Sequence, residues 1–332
     1  MKNMYLIIIL TLMMCFLLIP LLATKQNEYN DLATSYETSS TIEKANSHNL
    51  KFEALNEIKL YLTDEEKIVA LDKDEYILGV VAAEISADSS LEAIKAQALA
   101  AYTFAYRKHI QNKESVNGYD LTNDSTIDQR YINEELRKEK WGDNFLKNED
   151  KIKKAVESVS NQLIIYNGQP ILSAYHEISA GKTETAKNVW GTDYPYLQSE
   201  NSVSDLLSPE FYSEVTVTPD DFIKKISDLG VEVKGETENI IGKYNKSQSG
   251  TVLDIDLCGK KLTGAQIRKA FGLKSAAFDI VYKNSSFIFT VSGSGHGVGM
   301  SQFGANYMAQ QGSDYKEIIS TYYRNCEIVN IG

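Results

Sequence analysis

An uninterrupted apolar stretch near the start of the chain limits where the rest of the protein can fold. Residues 5–23 read YLIIILTLMMCFLLIPLLA, with Lys2 ahead of them and no charge inside. As a helix the stretch would be about 28 Å long, close to the roughly 30 Å hydrocarbon core of a membrane. It predicts a single-pass membrane anchor over residues 1–24, with the polar remainder outside the cytoplasm. A cleaved signal peptide is the alternative, although its apolar region is usually shorter.

Composition sets the class of the remaining chain. Its 332 residues include 43% hydrophobic and 24% charged side chains, an ordinary globular mixture. The formal net charge is −11 and the sequence contains no basic run. Phosphate binding needs concentrated Lys and Arg, so a nucleic-acid partner is not expected. Of the three cysteines, Cys258 and Cys326 follow the apolar stretch, and a disulfide between them is possible but is not the favoured expectation.

The folded part is expected to begin after a polar linker. Residues 25–51 are polar and lack a sustained period, whereas residues 52–332 interleave helical and hairpin patterns. No regular βαβ rhythm is visible, so the fold class is α+β, with mixed helices and hairpins forming one large domain. Residues 205–275 alternate short β-like runs with helical patterns and are a candidate for a smaller lobe.

Several helices are predicted from pattern and capping. Residues 74–85 begin with Asp74 as a potential N-cap and are apolar nearly all round, which indicates a buried helix. Ser89 and Glu92 fit a capping box ahead of a long run of strong helix formers. Residues 147–161 form another helical pattern.

Strands and hairpins are predicted between the helices. Strand-like runs occur around residues 58–62 and 67–71. Asn167-Gly168 predicts the turn of a β-hairpin, and VLDIDL-CGKKL predicts a second hairpin. FDIVY and FIFTV look like paired strands.

Glu84 is the leading catalytic candidate from the residues alone. It lies at the end of an almost wholly apolar helix, where desolvation and the negative end of the helix dipole would both raise the pKa of its carboxyl. A carboxyl that stays protonated near neutral pH can act as a general acid. A surface glutamate at a frayed helix end is an equally good interpretation of position alone.

A Gly-rich segment, SGSGHGVG, follows the last of these strands and precedes a predicted helix over residues 301–311. Alternate glycines let a backbone approach a ligand closely, but the spacing fits neither common nucleotide-binding motif. His296, Ser301 and Gln302 are read as polar groups that line a cleft, with a structural turn as the alternative.

Two short motifs suggest other chemistry but lack their partners. Ser179 and Lys182 fit S-x-x-K, the nucleophile motif of penicillin-recognising enzymes, yet Gly181 and the flanking strand-like run favour a turn, and no K-T-G or S-D-N follows. Lys182 is kept as a possible cleft residue. His176-Glu177 does not begin an HExxH zinc site, because no His lies three positions later.

Longer segments carry a family resemblance. YILGVVAAEISADSSLEAIKAQALAAYTFA, AYHEISAGKTETAKNVWG and SGSGHGVGMSQFGANYMAQQGSDYKEIISTYY occur in this order, with VLDIDLCGKKLTGAQIRKAFGLKSAAF before the last. From about residue 55 onward, most of the chain resembles the stage II sporulation protein D family of cell-wall lytic transglycosylases.

The resemblance implies an activity and its participants. The Glu of GVVAAE, Glu84 here, would be the acid/base that cuts the MurNAc–GlcNAc bond of stem-peptide-stripped glycan strands during sporulation engulfment. The muramic acid 6-hydroxyl would close a 1,6-anhydro ring, so neither water nor a cofactor is needed. The implied partners are peptidoglycan glycan strands, a peptidoglycan amidase and a membrane-localising protein. The expected substrate-binding residues are Lys95, Tyr102, Lys182, His296, Ser301 and Gln302.

The chain departs from the family pattern in three places. Several members bind zinc through Cys and His in the segment that here reads NDSTIDQRY, where Asn123, Ile127 and Asp128 stand instead. Ile127 cannot ligate a metal and soft ligands are absent, so no metal site is expected. Tyr102 replaces a usual Arg and is a candidate to stack on a sugar, and Glu177 replaces a small hydroxyl residue. The alternative function is therefore a non-catalytic glycan-binding scaffold or an activator of the amidase.

Overall fold

The computed structural model describes residues 52–113 and 116–332, and its fold mixes helices and strands. The predicted anchor and the polar linker lie outside the described residues. In the part of the chain that is described, no helix is both long and apolar enough to cross a membrane.

Two helices form the middle of the larger hydrophobic core. Helix α1 (Lys73–Glu84) is apolar almost all round, and residues 76–82 are all buried, which confirms the predicted helix to within one residue. Helix α2 (Leu91–Asn112) presents several fully buried alanines, whose small side chains let α1 and later helices approach closely.

The remaining helices and three small sheets surround α1 and α2. The helices are α3 (Glu134–Trp141), α4 (Phe145–Val159), α5 (Ala186–Trp190), α8 (Gln302–Gln310) and α9 (Tyr315–Tyr322). The first sheet has the order β2-β1-β3, built from β1 (Glu57–Leu62), β2 (Lys67–Asp72) and β3 (Leu121–Thr122). The second has the order β14-β4-β5, built from β4 (Gln162–Tyr166), β5 (Gln169–Pro170) and β14 (Glu327–Asn330). The third pairs β6 (Tyr175–His176) with β13 (Met300–Ser301) in parallel.

A second hydrophobic core lies in the region expected to be a smaller lobe. It contains β7 (Tyr212–Val217), α6 (Pro219–Asp228), β8 (Ile241–Lys246), β9 (Val252–Leu257), β10 (Lys260–Thr263), α7 (Gly264–Phe271), β11 (Phe278–Lys283) and β12 (Ser286–Ser292). Its two antiparallel sheets have the orders β11-β12-β7 and β10-β9-β8. Because this core continues to Val291, it extends past residue 275, the boundary suggested by the sequence pattern.

The two predicted hairpin turns are confirmed. Asn167 and Gly168 connect β4 to β5 with φ values of 49° and 74°. Cys258 and Gly259 connect β9 to β10 with φ values of 50° and 86°. Two-residue hairpin turns that match the strand twist need positive φ at both central positions, which Asn and Gly tolerate best. Cys258 and Cys326 are free thiols.

The predicted caps of the first two helices are wrong. Asp72, not Asp74, is the N-cap of α1, and its side chain accepts hydrogen bonds from the Asp74 and Glu75 amides. Helix α2 starts after Ser90 and has no side-chain cap. Glu92 instead accepts from the Tyr315 amide at 3.0 Å, so it serves the start of α9. A local motif cannot foresee this contact, because the competing donor lies more than 200 residues away in sequence.

One carboxylate joins the two cores. Glu184, 2% exposed, accepts hydrogen bonds from the Thr185 amide and the Asn188 side chain within its own core. Its other oxygen accepts from the hydroxyls of Ser247 and Ser249, which belong to the smaller lobe. These bonds lower the pKa of Glu184 in spite of its burial. The carboxylate is therefore a satisfied structural link rather than a catalytic candidate.

Candidate functional site

A cleft of about 590 Å³ is lined by residues from both cores. The acid wall is formed by Ala83, Glu84 and residues 125–130. The loop wall is formed by strand β6 and by residues 293–299, which are the Gly-rich loop that connects β12 to β13. Phe104, Leu172, Ser173, Ala174, Glu177, Trp190, Arg268 and Gln302 complete the lining. A cleft of this size with several convergent polar groups is the usual form of a ligand site.

Glu84 is the last residue of α1 and lines the cleft. Its Oε1 accepts a hydrogen bond from the Arg130 amide at 3.1 Å, and it forms no ion pair with any residue in the described ranges. Desolvation raises the pKa of its carboxyl, while Arg130 and Lys140 oppose the rise. The position at a helix end and the direction of the shift are those that the sequence predicts.

Two other carboxyls of the cleft already have partners. Asp128 forms an ion pair with Lys108 at 2.8 Å and accepts from the Thr122 amide. Glu177 accepts from the Ser294 hydroxyl at 2.6 Å. Glu84 therefore differs from both in having only a backbone donor.

Helix α3, which the sequence analysis missed, places a cation beside the end of α1. Lys140 donates from Nζ to the carbonyl of Ala82 at 2.7 Å, two residues before the end of the helix that carries Glu84. Arg137, 1% exposed, fixes α3 by ion pairs with Glu75 on α1 and Glu149 on α4. A buried guanidinium held by two carboxylates sets the position of Lys140, and so its influence on Glu84.

The segment expected to have lost a metal site is held by hydrogen bonds and an ion pair. Asn123 accepts from the amide and the hydroxyl of Thr63, both at 2.9 Å, and Asp128 is engaged by Lys108. Ile127 is about half exposed. Among the described residues no group of three or more His, Cys, Asp or Glu side chains is arranged to hold a metal ion. This donor set does not fit zinc.

The two histidines of the cleft have different roles in its geometry. Nδ1 of His296 accepts from the Val298 amide at 3.0 Å. This nitrogen of His296 is therefore used within the loop wall. Nδ1 of His176 faces the Val298 carbonyl at 3.1 Å and must carry the proton, which leaves Nε2 as an acceptor.

His176 Nε2 is buried and has no hydrogen-bond partner within the described residues. Such an atom normally has one, so an unpaired acceptor in a cleft indicates a place for a ligand donor. Desolvation lowers the pKa of His176 to about 4 and that of His296 to about 3, so both rings are neutral near pH 7. The sequence spacing excludes an HExxH zinc site at His176 and gives no sign that this residue contacts a substrate.

Tyr175 and Gln129 connect the two walls. The Tyr175 hydroxyl donates to Gln129 Oε1 at 3.0 Å, and Gln129 Nε2 donates to the Ala101 carbonyl at 3.2 Å. Both residues line the cleft. Gln302 also lines it and donates to Gln97 at 3.3 Å, so its predicted location in the cleft agrees with the structure.

The other predicted substrate-binding residues lie elsewhere. Tyr102 is 3% exposed, and its hydroxyl accepts from the Leu55 amide, so it cannot stack on a sugar in this cleft. Lys95 pairs with Glu92 at 2.6 Å. Ser301 is fully buried, where its hydroxyl caps α8 and donates to Asp205. These three residues do not line the cleft. A sequence motif indicates which segments lie near a site, but it does not show which side chains face the ligand.

The S-x-x-K segment is a turn, as the sequence indicates. Gly181 has a φ of 93°, and the backbone of Lys182 forms an isolated antiparallel β-bridge with Asn201. Lys182 lines a small adjoining pocket with His296 rather than the main cleft. Ser179 and Lys182 are therefore not one helical turn apart on a helix, which the penicillin-recognising arrangement would require.

These features define a class: a mixed α and β protein with two hydrophobic cores and a desolvated carboxyl at a helix end in a polar cleft. The family model described as "Stage II sporulation protein" matches residues 61–166. Stage II sporulation protein D of Bacillus amyloliquefaciens is 35% identical over 273 residues, which cover 82% of this chain and 78% of that protein. Its counterpart in Bacillus subtilis (strain 168) is 36% identical over 274 residues, with the same two coverages.

The chain therefore belongs to the stage II sporulation protein D family, and the resemblance of its motifs is confirmed. A more distant relative is the "Amidase enhancer" of Bacillus subtilis (strain 168), 27% identical over 300 residues that cover 74% of this chain and 39% of that protein.

Proposed function

We propose that this protein is a peptidoglycan lytic transglycosylase that cleaves the MurNAc–GlcNAc bond of stem-peptide-stripped glycan strands during sporulation engulfment. The observation that carries the proposal is Glu84, a carboxyl with a raised pKa that lines the cleft and has no cation bonded to it. Family membership points to sporulation, and the chemistry of the cleft points to acid/base catalysis.

One carboxyl is sufficient for this reaction. Protonated Glu84 gives its proton to the glycosidic oxygen as the bond from that oxygen to the muramic acid C1 breaks. The resulting carboxylate accepts the proton of the 6-hydroxyl, whose oxygen bonds to C1 and closes the 1,6-anhydro ring. Ordinary glycoside hydrolysis uses a second carboxyl to activate water or attack the sugar. Here the nucleophile is part of the substrate, which supplies the advantage of an intramolecular attack.

The neighbours of Glu84 suit this proton cycle. Desolvation favours the protonated acid before cleavage, whereas Arg130 and Lys140 favour the carboxylate that forms afterwards. His176 Nε2 offers an acceptor to a sugar hydroxyl or an N-acetyl N–H. Trp190 lies beside His296, with ring centroids 5.1 Å apart, and offers an aromatic surface to a sugar ring.

The proposed setting combines the apolar stretch of the sequence with what the family resemblance implies. Residues 1–24 would anchor the chain in the membrane and hold residues 52–332 outside the cytoplasm, in the space between the mother-cell and forespore membranes. A peptidoglycan amidase would remove stem peptides first, and a membrane protein would localise both enzymes. The name of the relative called "Amidase enhancer" supports the link to an amidase.

Product analysis tests the proposal. The full chain in detergent is incubated with purified, peptide-stripped glycan strands, and the fragments are analysed by mass spectrometry. Fragments with 1,6-anhydro ends, each lighter by one water than a hydrolytic fragment, are expected. Reducing ends would contradict the intramolecular attack, and intact strands would contradict the enzymatic function.

A second candidate function is a glycan-binding activator of the amidase. It is favoured by the name of the "Amidase enhancer" relative and by a cleft whose polar groups could bind a strand without cutting it. Under this alternative, the protein would raise the rate of a purified peptidoglycan amidase equally well with Glu84→Gln in place.

A further inference from the structure

Arg268 brings a positive charge from the smaller lobe into the cleft. It lies on α7, whose residues Ile267 and Phe271 pack into the second core. Arg268 itself is half-buried and lines the cleft with His296 and Trp190. After desolvation and His176, the charge of Arg268 also lowers the pKa of His296.

Within the described residues, one of the donors of the Arg268 guanidinium makes a hydrogen bond and the others point to no protein acceptor at bonding distance. Of its five N–H groups, Nε–H donates to the Leu273 carbonyl at 3.3 Å. No ion pair with Arg268 occurs anywhere in residues 52–113 and 116–332. Burial lowers the pKa of Arg268, and no carboxylate offsets this effect. Arg137, by contrast, has two glutamate partners, which raise the pKa of its guanidinium in spite of burial.

An unpaired, partly desolvated guanidinium in a ligand cleft is matched to an anion. Its planar fork binds a carboxylate through two parallel hydrogen bonds, and a neutral amide cannot replace that charge. In a peptidoglycan strand, each muramic acid carries a lactyl group on O3, and this lactyl group ends in a carboxyl. This group is a free carboxylate after the stem peptide has been removed and an uncharged amide while the peptide is attached.

We propose that Arg268 is a specificity-determining residue that binds the free lactyl carboxylate of a muramic acid residue in the cleft. The inference rests on the proposed function, because it takes a peptidoglycan strand as the ligand. Recognition of the lactyl carboxylate by Arg268 would explain why the protein prefers strands from which the stem peptide has been removed. The stripped strand supplies the missing counter-charge, whereas the amide leaves the guanidinium unpaired, and an unpaired charge is expensive to desolvate.

A binding experiment separates this inference from catalysis. The full chain with Glu84→Gln is titrated by calorimetry with muramic-acid-containing oligosaccharides in three forms: free lactyl acid, lactyl methylamide and stem-peptide-bearing. The free acid is expected to bind about 10- to 100-fold more tightly than the methylamide, the usual range for a charge-assisted pair. Adding Arg268→Gln should reduce this ratio to about one, because binding of the free acid weakens while binding of the methylamide does not. Arg268→Lys should keep part of it, since the charge remains and the fork is lost.

Lys224→Gln is the matched control, because it removes one exposed positive charge on α6 of the same lobe. It should leave the ratio unchanged. The inference is overturned if Arg268→Gln weakens both ligands equally, or if Lys224→Gln has the same effect as Arg268→Gln. It is also overturned if the peptide-bearing ligand binds as tightly as the free acid through Arg268, because the guanidinium would then recognise a peptide carboxylate.

Cleavage by the protein with Glu84 intact is measured on the same ligands. If no strand is cut but the free acid still binds through Arg268, the proposed enzymatic function fails and the inference stands. If strands are cut and Arg268→Gln leaves the preference for the free acid intact, the function stands and the inference fails.

Discussion

The acid wall and the loop wall enclose the same cleft but are built in opposite ways. On the acid wall, Glu84 has one backbone donor among the described residues, and its pKa is raised by desolvation against the opposing effect of Arg130 and Lys140. On the loop wall, His296 Nδ1 accepts a hydrogen bond from the Val298 amide, and the backbone at Gly295 and Gly299 lies close to the β6 region. The difference suggests a division of labour, in which the acid wall supplies reactivity and the loop wall supplies shape. Changes on the first should alter rate, and changes on the second should alter stability.

Glu84→Gln tests the acid wall and should have the largest effect. The amide cannot donate a proton to the glycosidic oxygen or accept one later, so cleavage should fall by about 10²- to 10⁴-fold while glycan binding persists. Rates of strand cleavage measure the loss. Glu177→Gln, which changes a carboxyl of the same cleft already bonded to Ser294, is the control and should lose far less. An equal fall in the cleavage rate of Glu84→Gln and Glu177→Gln would contradict the role of Glu84 as the catalytic acid.

The same variant predicts a pH-dependent gain in stability. The folded-state pKa of Glu84 is raised, so its protonated form favours folding and this contribution is lost as pH rises through the folded pKa. The melting temperature of Glu84→Gln should therefore equal that of the unmodified chain at low pH and exceed it at neutral pH. Thermal unfolding at a series of pH values measures the difference, and a lower melting temperature at neutral pH would contradict a desolvated carboxyl.

Gly299→Ala tests the loop wall through stability. Gly299 has a φ of 72°, and a Cβ at this position would lie 2.0 Å from the Ala174 carbonyl oxygen. Strain and clash together should cost at least about 3 kcal/mol, measured by denaturant unfolding. Gly312→Ala is the matched control, with a φ of 101° and no atom within 4 Å of the added Cβ. In Gly312→Ala the free energy of unfolding should fall only by the backbone strain, about 1–3 kcal/mol. A similar fall in both variants would mean that the loop wall can move to accommodate the added Cβ.

Lys140→Met sharpens the description of the acid wall with a smaller effect. The Lys140 cation lowers the pKa of Glu84, so its removal should raise that pKa further. The alkaline limb of the kcat/KM profile, which reports loss of the acid's proton, should move to higher pH. Lys138→Met on the same helix removes an exposed charge paired with Glu134 and should leave the limb in place. A limb that does not move in Lys140→Met would mean that Glu84 is not the titrating acid.

Tyr102→Phe should have the smallest effect. The Tyr102 hydroxyl accepts a long hydrogen bond of 3.4 Å from the Leu55 amide and lies away from both walls. Cleavage should stay within about twofold of the original rate, and stability should fall by about 1 kcal/mol or less. A large loss of cleavage with an unchanged melting temperature would indicate that Tyr102 contacts the substrate.

Short-range features of the sequence predicted the structure well where local physics decides. The apolar pattern of α1 and the turn residues Asn167-Gly168 define their elements without help from distant contacts. The location of Glu84 follows from the same helix. These features are reliable because the periodicity, the turn geometry and the helix end are set by neighbouring residues.

Long-range features could not be foreseen from patterns. The open Nε2 of His176 depends on a Val298 carbonyl 122 residues away, and Arg268 reaches the cleft because its whole lobe packs there. Ser301 was predicted to face the substrate, yet it caps α8 and bonds to Asp205 instead. A motif identifies a polar residue near a site, whereas the tertiary packing decides whether that residue faces the ligand or the core.

The parallel pairing of β6 with β13 has a consequence for the order of assembly. Met300 and Ser301 pair with Tyr175 and His176, so the loop wall exists only after the last tenth of the chain begins to emerge. During synthesis from the N-terminus, helix α1 and its glutamate are made early, with no opposite wall. A nascent chain, or one truncated before Met300, therefore carries the acid without the groove that would bring a strand to it. If the protein cleaves glycan strands as proposed, that activity would begin only after Met300 and Ser301 have been made and have paired with β6.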